Sequence, residues 1–169
     1  MKRINKLLIC ILLVFLVVAI FALTSCDDKP KAKQLTDLTL PELNDHQIAI
    51  VIKNGNSDYT SYTVNLDTVG IKEATCADVL EYMSKHRYIS LTWQDSTYGK
   101  YIEAIGGINP DSSKNEYVEI FTSNPDFQGT WADVTTITAG DVTLKSAAVG
   151  VSELGVKAGD VVYFELASY

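Results

Sequence analysis

The chain has 169 residues, with 14 Lys and Arg against 21 Asp and Glu and a net charge of −7. This acidic balance argues against binding to nucleic acid and against electrostatic docking on anionic lipid, because both need clustered positive charge. The length allows one ordinary domain in addition to targeting segments.

The first 26 residues have the three parts of a bacterial lipoprotein signal. A basic start is followed by an uncharged apolar stretch over residues 7–23, which ends in the run Leu23-Thr24-Ser25-Cys26. Small residues before a cysteine are what lipidation and the subsequent cleavage require. The pattern predicts a signal peptide over residues 1–25 and a diacylglyceryl anchor, detectable with palmitate, on Cys26. Such an anchor holds a protein durably on the outer face of the cell membrane.

Two other interpretations of this segment stay open. Residues 7–23 fall at the short end of the roughly 17–25 residues that can span a bilayer, so they also fit an uncleaved membrane anchor. An ordinary cleaved signal followed by release is the third option. All three place the globular part outside the cell. Removal of residues 1–25 takes away three basic residues and no acidic ones, which leaves 11 basic and 21 acidic residues and a net charge of −10.

The mature chain divides into a tether and a domain. Charged and proline-containing sequence predicts a polar tether over residues 26–45, and residues 46–169 have the length of one domain. Cys10 leaves with the signal and Cys26 carries the lipid, so Cys76 is alone and no intrachain disulfide is available. The domain therefore relies on its apolar core.

A β-hairpin and a helix open the predicted domain. Residues 48–52 and 62–66 alternate in side-chain polarity, with the turn signal Asn54-Gly55-Asn56 between them. Thr75 can cap a helix with Asp78 in its first turn. One face of this helix carries residues at i, i+3, i+4 and i+7 spacing, namely Cys76, Val79, Leu80, Met83 and Arg87.

The rest of the chain is predicted to form strands and loops. Short apolar alternations bounded by turn residues predict strands over residues 89–93, 101–108, 117–121, 131–137, 142–144 and 161–166. A hairpin, one helix and then several strands predict an α+β fold, a β-grasp-like mixed sheet with one helix packed across one face.

Catalytic chemistry has weak support in the sequence. Cys76 near a helix N-terminus is a possible reactive thiol, but His86 lies ten residues later, about 15 Å along the helix axis, and only His46 could approach it. As a small apolar residue on the packed face, Cys76 is predicted to belong to the core. The chain shows no paired-histidine metal motif, phosphate-cradling loop or nucleophile elbow. We therefore expect no enzyme, no catalytic residue and no metal site.

Aromatic residues in loops are the stronger candidates for a binding site. Tyr98, Tyr101, Phe127 and Trp131 lie in or beside loops rich in Gly, Asn, Pro and Asp. Rigid amphipathic side chains on loops are typical of ligand and partner sites, although ordinary packing against a sheet is the alternative. The segment after residue 123 is long enough to form a rim beside such a site.

Three motifs in order resemble one known family. They are the helix core Ala-Asp-Val-Leu-Glu-Tyr at residues 77–82, a strand ending at Gly106-Gly107, and Gly-Val-Ser at residues 150–152 followed by Gly159-Asp160 and an aromatic strand. Over residues 74–166 the chain resembles the domain family of unknown function grouped with the C-terminal domain of transcobalamin, common in Firmicute surface lipoproteins.

This resemblance implies a β-grasp-like domain and a corrinoid such as cobalamin as a ligand. The chain departs from the transcobalamin pattern in an extra segment over residues 124–146. It also contains no α/α-barrel domain, which in transcobalamin supplies half of the vitamin cage. No binding residue is therefore transferred from that family to this chain.

Two functions follow from the sequence. The first is a membrane-anchored, non-catalytic module that binds a small molecule, with a corrinoid as the ligand implied by the resemblance. The second is an adhesion or assembly module that recognises a protein or cell-wall polymer through a sheet edge or face. A concave aromatic pocket favours the first function, and an exposed edge strand favours the second.

Overall fold

Nine strands and two α-helices form the part of the chain that the structure describes. This computed structural model describes residues 32–55 and 58–169. The helices are α1 (Leu66–Val69) and α2 (Cys76–Lys85), and single 3₁₀ turns occur at Ser112–Lys114 and Pro125–Phe127. The strands are β1 (Ala32–Gln34), β2 (Gln47–Asn54), β3 (Asp58–Asn65), β4 (Leu91–Ser96), β5 (Gly99–Ile105), β6 (Glu116–Thr122), β7 (Thr136–Ala139), β8 (Val142–Ser146) and β9 (Val161–Ser168).

Seven of these strands form one mixed sheet. Its order is β1-β7-β8-β6-β9-β2-β3, and β4 and β5 pair with each other in a separate hairpin. β1 runs parallel to β7 and β2 runs parallel to β9, while the other neighbours are antiparallel. The predicted α+β class with a mixed sheet is confirmed.

The alternation along β2 divides the core between the two faces of the sheet. Ile48, Ile50 and Ile52 point to the face that carries α2, and Ala49 and Val51 point to the other. All five side chains are buried, as expected for a strand with neighbours on both sides and covered faces. The apolar side of α2 and the β4–β5 hairpin complete the first layer.

Helix α2 begins where the sequence predicts. The Thr75 N–H donates to Asp78 Oδ2 at 2.8 Å, and the Asp78 N–H donates to Thr75 Oγ1 at 3.3 Å, which forms a capping box. The predicted position of Arg87 on the buried face is wrong. The helix ends at Lys85, so Arg87 lies beyond it, exposed and with φ of 60°.

Part of the segment predicted to be a tether lies on the domain. Ala32–Gln34 pairs with β7, and the Lys33 Nζ lies 2.7 Å from Glu165 Oε2. Leu35 and Leu38 are buried against the second face of the sheet. The charged residues suggested a solvated tether, but the leucines that follow them cover apolar surface that would otherwise face water. The signal peptide and Cys26 lie outside the described residues.

Two predicted strands have different ends in the structure. The strand predicted over residues 62–66 stops at Asn65, whose side-chain oxygen accepts from the Asp67 N–H at 2.8 Å and caps α1. The strand predicted to start at Trp131 begins at Thr136.

No helix within residues 32–55 and 58–169 is long and apolar enough to span a membrane.

Candidate binding sites

Strand β3 is the last strand of the sheet, and the pairing of β2 determines which of its backbone groups point outward. The Ala49 N–H donates to the Asp160 carbonyl at 3.0 Å, and the Gln47 carbonyl accepts from the Gly159 N–H at 2.8 Å. The backbone N–H and C=O groups of the odd-numbered residues of β2 therefore point to β9, and those of the even-numbered residues point to β3. The register places even residues opposite even residues. The β3 residues whose backbone groups point away from the sheet are thus Tyr59, Ser61, Thr63 and Asn65.

Most of this outer edge is open. The Thr68 Oγ1 donates to the Asn65 carbonyl at 2.6 Å and occupies one end. In the described part of the chain, the outward N–H and C=O groups of Tyr59, Ser61 and Thr63 have no hydrogen-bond partner. Such a row of unpaired groups can accept a further strand.

A depression of about 480 Å³ lies between this edge and the C-terminal part of α2. We call it the β3 groove. The side chains of Tyr62 and Val64 point to the α2 side because they lie opposite Ile50 and Ile48 in the hairpin. The groove is lined by Ser61, Tyr62, Thr63, Val64, Asn65, Thr68, Tyr82, Met83 and Tyr88.

The turn after α2 brings aromatic rings to this groove. Arg87 adopts a left-handed conformation, and the Tyr88 N–H then donates back to the Met83 carbonyl at 2.9 Å. This reversal places the His86 ring 4.4 Å from Tyr82 and 6.0 Å from Tyr88, measured between centroids. Tyr88 is 56% exposed, so its ring is available for contact at the surface.

Two of the predicted site residues lie on the β4–β5 hairpin. Tyr98 is at its tip and is 88% exposed, and Tyr101 on β5 is 47% exposed. The tip rests on the loop between β8 and β9, where the Lys100 N–H donates to Ser152 Oγ at 2.9 Å. Both tyrosines are free to contact a ligand at the surface.

The other two predicted residues lie on the segment between β6 and β7. The Phe127 ring packs on the core layer around α2 and against Gly155, where a Cβ would approach it to 3.0 Å. Trp131 is 47% exposed, and its indole lies over Gly129. Phe127 therefore has a structural role in packing, whereas Trp131 is about half exposed to solvent.

The end of β8 and the loop after it bond to Phe127 and to residues near Tyr98 and Trp131. Ser152 accepts from the Lys100 N–H at the hairpin tip. The Ala148 N–H donates to the Phe127 carbonyl at 2.8 Å, and the Ser146 carbonyl accepts from the Gly129 N–H at 2.8 Å. On the described surface, the β3 groove and three other depressions are lined by residues other than Tyr98, Tyr101, Phe127 and Trp131. A ligand site at these residues stays a prediction.

The candidate thiol is part of the core. Cys76 is fully buried, and its N–H donates to the Leu154 carbonyl at 2.7 Å. Burial raises the pKa of the Cys76 thiol above its usual range and so disfavours the thiolate that nucleophilic attack needs. In the described ranges no group of three His, Cys, Asp or Glu side chains could hold a metal ion.

A depression of about 540 Å³ lies at the open end of the β2–β3 hairpin, beside α1. It includes an exposed pair, in which His46 Nδ1 lies 3.1 Å from Asp67 Oδ2. The described lining contains no Ser or Cys that could act as a nucleophile beside this pair. The feature has the character of a solvated surface between loops.

Comparison with known proteins gives similarity at the level of solved structures. No family model matches the chain, and no curated protein matches it. A protein from Ruminococcus gnavus ATCC 29149, described as a "putative metal binding protein", is 13% identical with a TM-score of 0.49 over 73% of this chain and 97% of that chain. Haptocorrin in complex with Cbi is 14% identical with a TM-score of 0.45 over 75% of this chain. The match spans 26% of the haptocorrin chain. Neither similarity bears on what this chain binds.

Proposed function

We propose that this protein is a non-catalytic binding module displayed on the outer face of the cell membrane, and that it recognises a macromolecular partner. The observation that carries the proposal is the open β3 edge beside an aromatic groove. Proteins normally protect an edge strand with charges, prolines, bulges or a covering element. In β3 the only charged residue is Asp58 at its start, and its register with β2 is unbroken over eight pairs.

The anchoring part of the proposal rests on Cys26 and has its own test. Labelled palmitate should enter the wild-type protein expressed in a bacterial host and should be absent from Cys26→Ala. Label that persists in the variant would contradict lipidation at this residue. Membrane association without label would favour the uncleaved anchor.

A small-molecule ligand is the second candidate, and the size of the β3 groove favours it. Its volume of about 480 Å³ falls in the range of roughly 300–1,000 Å³ that ligand pockets occupy. A corrinoid enters this proposal through the sequence resemblance. The exposed residues Tyr98, Tyr101 and Trp131 form the alternative location for such a ligand.

The general proposal is tested by a ligand screen on the mature chain, from residue 26 onward, carrying Cys26→Ser. The fragment must retain residues 32–45 because Leu35 and Leu38 are part of the core. Thermal unfolding would be followed with corrinoids, haem, peptides and glycans. A ligand present at 100 times its Kd stabilises the native state by about 2.7 kcal/mol, which raises the melting temperature by several degrees. No shift and no capture of a surface component would contradict a binding function.

A further inference from the structure

We infer that the partner of the β3 groove is an extended polypeptide segment that adds to the sheet as a strand beside β3. This inference rests on the proposed binding function and names the class of partner. The unpaired N–H and C=O groups of Tyr59, Ser61 and Thr63 are spaced two residues apart, which is the repeat of a β-ladder. Helical segments and folded glycans do not present backbone groups at this repeat.

The groove adds side-chain selection to this backbone pairing. A strand beside β3 would direct every second side chain to the α2 side of the sheet, where Tyr62, Tyr82 and Tyr88 line the depression. Main-chain bonds then supply general affinity, and the aromatic walls select apolar side chains at alternate positions. We expect apolar and polar side chains to alternate over about five residues of the partner segment.

Charge next to the groove indicates what flanks those apolar positions. Arg87 is exposed beside Tyr88, whereas the mature chain as a whole has a net charge of −10. The nearby Lys85 is already paired with Glu81 at 2.9 Å, so Arg87 supplies the local positive charge beside the groove. A local basic site on an acidic protein attracts acidic groups. We therefore expect an acidic residue next to the apolar alternation of the partner.

The described part of the protein's own tether does not pair with β3. Among the described residues, Ala32–Gln34 pairs with β7, and Leu35 and Leu38 are buried on the second face of the sheet. The described segment after β1 passes close to Tyr59 and Ser61 in a separate depression, but it makes no backbone hydrogen bond to β3. Pairing with a second copy is opposed by the like charge of two domains. The remaining occupant is a segment of a different polypeptide.

The experiment is selection of linear octapeptides from a phage-displayed random library on the immobilised mature chain. We expect enriched peptides with period-two apolar positions and a flanking Asp or Glu. The tightest peptide is then synthesised with N-methyl groups at alternate residues, in both possible registers. In one register the N-methyl groups replace the peptide N–H groups that bond to β3, and this peptide should bind at least about tenfold more weakly. In the other register those N–H groups are kept, and the Kd should change less than about threefold. Equal losses in both registers, or no enrichment, would overturn the inference.

Protein variants give a second, independent result. Ser61→Pro removes an outward N–H without touching the bonds to β2, and it should weaken the peptide at least about tenfold. Tyr88→Ala should weaken peptide binding by about fivefold or more, because it removes an exposed aromatic ring that lines the groove. The matched control is Tyr169→Ala, an equally simple truncation of an exposed tyrosine outside the groove, with less than about twofold change.

Failure of the inference and failure of the general function are distinguishable. If a small molecule shifts the melting temperature while no peptide is enriched, the binding function stands and the polypeptide partner is wrong. If nothing binds, both are wrong. A dimer in sedimentation equilibrium that Ser61→Pro dissociates would identify a second copy as the occupant and overturn the assignment of a different polypeptide.

Discussion

The two edges of the sheet are built in different ways. β1 has three residues, and Lys33 at its centre is paired with the buried carboxylate of Glu165. β3 has eight residues and presents unpaired backbone groups next to aromatic rings. A short, charged strand is one of the ordinary devices against unwanted strand pairing, and the long edge lacks it. The contrast indicates that pairing at β3 serves recognition.

The largest expected effect comes from breaking the inner side of β3. Thr60 bonds to Ile52 of β2, so Thr60→Pro should remove a ladder bond and lower the free energy of unfolding by about 3 kcal/mol or more. Ser61→Pro changes only the outer side and should cost much less. Urea unfolding of both variants measures the difference. Equal losses would mean that the assignment of inner and outer residues is wrong.

The next effect tests whether the chain around β1 belongs to the domain. Leu38 is 6% exposed, so Leu38→Ala should lower the free energy of unfolding by about 2–3 kcal/mol through lost burial and a cavity. Urea unfolding is again the measurement. Leu166→Ala, at an exposed leucine on β9, is the control and should stay within about 0.5 kcal/mol. If the Leu38 variant is as stable as wild type, this segment does not contribute to the core and belongs to the tether.

Stability should fall at alkaline pH because of the cluster behind β1. Burial, and then the charge of Glu165 that accepts the Tyr163 hydroxyl at 2.9 Å, raise the pKa of Tyr163 above its ordinary value of 10.0. The unfolded state therefore loses this proton first as pH rises. The free energy of unfolding should decrease above pH 10 by about 1.4 kcal/mol per pH unit for this group.

Tyr163→Phe isolates that contribution. It should reduce the alkaline slope, although the loss of a bond to Glu165 lowers stability at neutral pH by about 1 kcal/mol. Unfolding curves recorded between pH 8 and pH 11 provide the test. A slope unchanged in Tyr163→Phe would show that other groups cause the alkaline loss.

The smallest expected effect concerns the charge on the short edge. Lys33 is partly exposed, so Lys33→Met should lower the free energy of unfolding by less than about 1 kcal/mol. Lys114→Met, which removes the 3.2 Å contact with Asp111 on the surface, serves as the comparison. Sedimentation velocity should detect no association in Lys33→Met, because three residues are too few for stable strand pairing. Association would show that the charge, and not the length, protects β1.

Local features of the fold could be predicted from the sequence. The Thr75 and Asp78 spacing predicts the start of α2, and the alternation around Ile50 predicts β2. These signals are local because a capping box and a strand period each need only a few consecutive residues. Burial of Cys76 also follows from its place on the helical face.

The candidate groove could not be predicted in this way. Which strand ends the sheet depends on the pairing of β2 with β9, and these strands are more than a hundred residues apart in sequence. Likewise, Leu38 is recognisable as a core residue only once the second face of the sheet exists. The turn at Arg87 that brings Tyr88 to the groove has no glycine to signal it.

If the proposed lipid anchor holds the protein by its N-terminus, the position of β1 has a mechanical consequence. Tension from the proposed anchor would act first on the three ladder positions that join β1 to β7. Release of residues 32–43 would add about 40 Å of extended chain at roughly 3.4 Å per residue. β3 pairs with β2 and not with β1, so its ladder would stay intact when β1 is released. The segment before β2 would thus act as a reserve of tether length that yields before the binding edge does.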